Sequence, residues 1–169
     1  MLAAVALARV GDTKQSRKLV KQLEQSDPAN TLLKIYWLPV IDAAVQLELG
    51  NPSNAFVSLE AAEPYDLALP SPNEIGTLYP VYLRGQAYLA ARNGKAGTAD
   101  FQKILDHQGI TLNFVNGALA RLGLARAYVL QGDTAKARAA YQDFLTLWKD
   151  ADPDIPILKQ AKVEYAKLQ

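Results

Sequence analysis

Cysteine is absent from this 169-residue sequence, histidine occurs once and tryptophan twice. Without cysteine there is no disulfide, no thiol nucleophile and no Cys-ligated zinc. With His107 as the sole imidazole, no pair of histidines can share a metal. No Gly-x-Ser-x-Gly run offers a nucleophile elbow, and Gly94-Lys95 has neither the upstream glycine nor the following hydroxyl of a P-loop. Asp150, Asp152 and Asp154 alternate like the opening of a calcium loop. Ile155 stands where that loop needs glycine and Ala161 where it needs a bidentate carboxylate, so the three read as capping and solubility. No catalytic residue, metal site or cofactor is therefore expected. Charge of one sign is also lacking: 18 Lys and Arg against 17 Asp and Glu leave a net +1. That is no field for a nucleic acid. No apolar run approaches the roughly 18 residues of a membrane span. The opening Met1-Leu2-Ala3-Ala4-Val5-Ala6-Leu7-Ala8 has no basic residues ahead of it, as a signal peptide would. These absences point to a cytoplasmic location without membrane contact.

What is present is helix-forming material. Half the residues are apolar, and 27 alanines and 25 leucines give the strongest compositional bias; both lose little side-chain entropy in a helix. Self-comparison then shows a repeat. Ala125, Tyr128, Ala137, Tyr141 and Phe144 are spaced 3, 9, 4 and 3 apart. The same spacing returns 40 residues earlier as Gly85, Tyr88, Gly97, Phe101 and Ile104, and 42 before that as Ala43, Gln46, Ala55, Leu59 and Ala62. A last shift of 39 gives Ala4, Leu7, Ser16, Val20 and Leu23, so only Gln46 breaks the chemistry.

Small residues are needed where two helix backbones approach, and large ones a turn away to fill the gap between ridges. The nine-residue interval holds a turn each time: Gly11-Asp12, Gly50-Asn51-Pro52, Asn93-Gly94 and Gly132-Asp133. Glycine suits the left-handed end of a first helix, and Asp12, Asn51 and Asp133 suit the cap of a second. Each unit is expected to be a helical hairpin that buries its apolar face only by stacking on its neighbours.

These residues resemble the tetratricopeptide repeats. Unit four matches the family pattern closely, unit three well, and units one and two chiefly in spacing. Pro28 sits at the family's closing proline. The period here exceeds the family's usual value of about 34 residues, which points to longer first helices or longer connections. The resemblance implies an all-α, right-handed superhelix of hairpins over residues 1–169. Its units span about 1–27, 28–70, 71–108 and 109–150, with a capping helix at 154–169. The stretch from Glu63 to Pro72, with Pro64, Pro70 and Pro72, is expected to be the longest loop, and unit three to begin near Asn73. Pro39 and Pro80 fall inside expected first helices and should bend them. Unit one holds only part of a leading helix, so the chain is read as a fragment of a longer protein.

Stacked hairpins of this family line a concave wall with their first helices. The face opposite the packing face then carries Val5 and Arg9 in unit one, and Trp37, Val40, Ile41 and Ala44 in unit two. Unit three contributes Tyr79, Tyr82, Leu83 and Gln86, and unit four Leu119, Leu122, Gly123 and Arg126. Arg9, Trp37, Val40, Tyr79, Tyr82, Gln86, Leu122 and Arg126 are the expected partner contacts, because aromatic residues and arginine are common interface anchors. A place in the core between units is the alternative for Trp37 and Tyr79, and for Trp37 the two readings are equally open. Some family members clamp a peptide's terminal carboxylate with Lys, Asn and Arg; here Val40, Ala44, Leu122 and Gly123 hold those positions. The wall suits a helix or an extended apolar segment instead.

The stretch from Gly123 to Gln169, carried by Ala125-Arg126-Ala127-Tyr128 through Leu168, resembles the C-terminal repeats of bacterial eukaryotic-like serine/threonine kinases. That resemblance implies an interaction or scaffold module within a signalling protein, with any kinase activity in a preceding domain. The partner expected is a protein or peptide. The rival reading is an oligomerisation element that joins copies of its parent through unit one.

Overall fold

A computed structural model describes residues 1–69, 76–112 and 114–169, so Pro70, Pro72 and Asn73 lie outside the described residues. The described residues are helical, with no strand among them. The first hairpin pairs α1 (Leu2–Arg9) with α2 (Thr13–Ser26). The second pairs α3 (Leu38–Glu48) with α4 (Pro52–Leu59), and the third α5 (Tyr79–Ala90) with α6 (Gly94–Asp106). A single turn, α7 (Gln108–Thr111), leads to the pair α8 (Val115–Gln131) and α9 (Thr134–Leu147), and α10 (Pro156–Ala166) follows. No helix among the described residues is long and apolar enough to cross a membrane.

The substantial contacts are between neighbours. The first helices pack in sequence, α1 on α3, α3 on α5 and α5 on α8. Each also packs on its own hairpin partner and on the second helix of the hairpin before it: α2 on α3, α4 on α5, α6 on α8. The small residues of the repeat sit at the approaches. Ala4, Ala43, Gly85 and Ala125 are buried on the first helices, and Ser16, Ala55, Gly97 and Ala137 on the second. In the first hairpin the gap is narrow enough for the Ser16 hydroxyl to donate to the Ala4 carbonyl at 2.7 Å. A Cβ on Gly97 would stand 3.6 Å from the Gly85 carbonyl.

The hairpin turns follow backbone rules. Gly11, Gly50 and Gly132 take φ of 87°, 74° and 75°, a region glycine enters without steric cost. The third turn differs: Arg92 takes the left-handed position at φ 56°, and Gly94 is instead held by space, since a Cβ there would meet the Ala127 carbonyl at 2.6 Å. Asp12, Asn93 and Asp133 accept from the backbone N–H three residues on, at 3.0, 3.1 and 3.1 Å. Asn51 makes no such bond, contrary to its expected role, and Pro52 takes the first helical position. Asp12→Ala is accordingly expected to cost about 1 kcal/mol, and Asn51→Ala only a few tenths. Urea unfolding midpoints of the two variants check this.

The two prolines are placed differently. Pro80 is the second residue of α5, where its missing N–H would have had no partner. Pro39 is likewise the second residue of α3, but helix precedes it: Leu33–Trp37 form a π turn in which the Leu38 N–H reaches back to the Leu33 carbonyl. The wider turn absorbs the clash of a proline ring with the carbonyl four residues back.

The longer period is used in the connection before α5. The chain passes through a 3₁₀ turn, Glu60–Tyr65, and later re-enters at Gly76–Leu78, tucked against the π turn and α8. The Tyr36 hydroxyl donates to the Gly76 carbonyl at 2.7 Å, and the Asn116 amide to the Thr77 carbonyl at 2.8 Å. Trp37 lies so close to Gly76 that a Cβ there would fall 2.4 Å from its ring. Burial pushes the Tyr36 phenol above its ordinary range.

Candidate functional site

Most of the expected wall is interior. Trp37, Val40, Tyr82 and Leu122 are 2%, 0%, 6% and 1% exposed, so they are packing residues and not an open surface. The reason is local. Trp37 meets Tyr36 edge to face at 5.5 Å and is covered by Gly76, which settles the open choice for Trp37 in favour of core. Tyr82 fills the angle between Tyr79, at 6.0 Å, and Phe101, at 6.1 Å. Tyr79 and Gln86 are half-buried, and Arg9 is exposed with no ion pair among the described residues.

What the structure does bring together is Arg9 of α1, Tyr79 and Tyr82 of α5, and Arg126 of α8. Burial pushes both phenols up, while Arg9 pulls on both and Arg126 on Tyr82. Arg126, an expected partner contact, is engaged within the chain. Its guanidinium holds Glu164 of α10 with two bonds, Nε to Oε2 at 2.9 Å and Nη2 to Oε1 at 3.1 Å. The Tyr141 hydroxyl donates to the same carboxylate at 2.8 Å. The cap thus closes over the end of the wall through a charge-assisted fork, with Leu158 and Ala161 as its buried anchors.

Next to that fork the wall opens into a cleft of about 340 Å³. It is lined by Leu89 of α5, by Arg126, Val129 and Leu130 of α8, and by Glu164 and Leu168 of α10. Val129 is 43% exposed, so an incoming group would meet a hydrocarbon surface with the fork at its rim. Leu89, Val129 and Leu130 were absent from the expected contacts. They lie one helical turn beyond Gln86 and Arg126 on the same faces, so carrying the wall one turn further would have reached them.

A second polar cluster lies on the side of α5 away from the cleft. Arg84 holds Asp66 at 2.7 Å and Asp100 at 2.9 Å, and Lys103 reaches Asp66 at 2.8 Å. It balances two cations against two carboxylates and fixes the segment after the 3₁₀ turn to α5 and α6. His107 ends α6 with Nδ1 2.7 Å from the Lys103 carbonyl; a carbonyl only accepts, so Nδ1 carries the proton. Asp154 pairs with Lys159, and Asp152 accepts from the Asp154 backbone N–H. Among the described residues no group of three or more His, Cys, Asp or Glu is placed to hold a metal.

Comparison with protein-family models, with curated proteins and with solved structures finds no match to this chain.

Proposed function

We infer that the chain is a non-catalytic interaction module of the tetratricopeptide type, four stacked hairpins and a cap, that takes an apolar segment of a partner protein on its inner wall. Support for the architecture is the order of the contacts, in which each helix meets its hairpin partner and the adjoining unit. Support for the role is one observation: a hydrocarbon cleft of α5, α8 and α10 opens beside Arg126, which acts on Tyr82 together with Arg9 and Tyr79. An open apolar surface with a satisfied ion pair at its rim suits an aliphatic or aromatic anchor from a partner helix or extended peptide. The parent protein in this reading is a bacterial signalling protein of the serine/threonine kinase kind, with its chemistry in another domain.

Selection of peptides from a random display library against the folded chain tests this. Enriched peptides are expected to share an apolar anchor. Val129→Glu should weaken them by roughly 10- to 100-fold, the equivalent of losing about 1.5–3 kcal/mol of apolar burial. Peptides that bind the variant as well as the original chain, or no enrichment at all, would remove the cleft from the account.

A further inference from the structure

The near-neutral chain hides an uneven distribution of charge. Residues 1–34 hold six cations and three acids, and the remainder 12 cations and 14 acids. Four of the six are on α2: Lys14, Arg17, Lys18 and Lys21. At 100° per residue, Lys14, Lys18 and Lys21 fall within one narrow stripe about 10 Å long. The stripe lies opposite Ser16, Leu19, Val20 and Leu23, which face the core. All four cations are exposed, and none has an ion pair among the described residues, although cations elsewhere find partners in Asp66, Asp100, Asp133, Asp154 and Glu164.

The arrangement disfavours its own helix. Lys14–Arg17, Lys14–Lys18, Arg17–Lys21 and Lys18–Lys21 are all like charges at three or four residues' separation, which destabilises a helix. Little relieves it: Asp12 is engaged with the Gln15 N–H and Asp27 with the Asn30 amide, and the one acid on α2, Glu24, stands three residues after Lys21 and faces four cations. Folding gains nothing from the stripe, since α2 meets α1 and α3 through its other side.

We propose that the outer face of α2 is a second docking surface, for an acidic segment of a partner protein. Three features select that class. Gln15, Gln22 and Gln25 fill the spaces between the cations, so the face carries no apolar side chain to enter a lipid surface. It has no aromatic ring on which a base would stack, and the acidic excess over the rest of the chain opposes a long phosphodiester polyanion. Carboxylates on a helix, at intervals of three and four residues, match the stripe in spacing and in sign. The surface is separate from the cleft and stands whether or not the cleft takes a ligand.

The probe is a fluorescent alanine-based helical peptide with glutamates at i, i+4 and i+7, titrated with the full chain at low and at physiological ionic strength. Saturable binding that weakens with salt is expected, reduced roughly tenfold or more by K14E/K18E and unchanged by V129E. The same double variant is expected to melt no lower than the original chain, because it turns two of the four like pairs into opposite ones, leaves the other two like, and sets a carboxylate in the first turn of α2. Peptide binding that is absent, or insensitive to K14E/K18E, overturns the proposal. So does tighter binding of anionic phospholipid vesicles or of single-stranded DNA than of the peptide.

Discussion

Phe101→Ala is expected to destabilise the protein by about 3–5 kcal/mol, among the largest losses any single truncation here would give. Phe101 is fully buried on α6, and two glycines make room for its ring. A Cβ at Gly85 of α5 would stand 2.8 Å from the ring, and one at Gly123 of α8 only 2.5 Å. The ring is thus the wedge on which one hairpin meets the next. Its removal leaves a cavity walled on two sides by the helix backbone at Gly85 and Gly123, which resists collapse. For a chain of this size about 2–4 °C of melting temperature goes with each kcal/mol, so a fall of about 10 °C is expected in a thermal melt followed by circular dichroism. Gly123→Ala fails from the opposite cause, overpacking, at about 1–3 kcal/mol. Joined with Phe101→Ala, its added methyl meets empty space, so the double variant should be less damaged than the two losses summed. Additive losses would show that the ring does not sit between the two glycines.

Arg84→Met should cost as much, about 3–5 kcal/mol, by stranding charge instead of opening space. The guanidinium serves both buried carboxylates: Asp66 through Nη1 and Nη2 at 3.2 and 2.7 Å, Asp100 through Nε and Nη2 at 3.1 and 2.9 Å. Burial already pushes the Asp100 carboxyl up, and Arg84 pulls it back. Without Arg84 it rises further. An acid whose folded pKa is raised binds its proton more tightly folded than unfolded, so stability returns as pH falls through the folded value towards the ordinary one. The variant should therefore recover on mild acidification in urea titrations. Adding Asp66→Asn and Asp100→Asn should restore most of the loss at neutral pH, because neutral amides do not strand charge. A variant with unaltered stability would mean the cluster is solvated.

The contrast between these two sites shows what the sequence could disclose. Phe101, Gly85 and Gly97 were legible because each belongs to a spacing repeated four times, and a repeated spacing reports which face of a helix is crowded. The turns at Gly11 and Gly132 and the caps at Asp12 and Asp133 were legible because their causes lie within four residues. Arg84, Asp66 and Asp100 were not, since their bonds join three separate elements with no motif between them. The candidate wall was half legible. Helical phase places Tyr79, Tyr82 and Arg126 on one side correctly, and the structure does gather them. Phase says nothing about how closely neighbouring units approach, so Val40, Tyr82 and Leu122 were expected in the open where packing closes over them. It is equally silent about a distant carboxylate, Glu164, that occupies Arg126. Pro80 misled for a related reason: a proline's effect depends on where its helix begins, and a left-handed Leu78 sets that start.

One spacing marks one contact, made four times. Nuclear Overhauser measurements between the paired small residues test it most directly. The expected result is a short inter-helix proton contact for Ala4 with Ser16, Ala43 with Ala55, Gly85 with Gly97 and Ala125 with Ala137, all four alike. Contacts in the first and third pairs without the second and fourth would contradict it, and would reduce the repeat to a coincidence of composition.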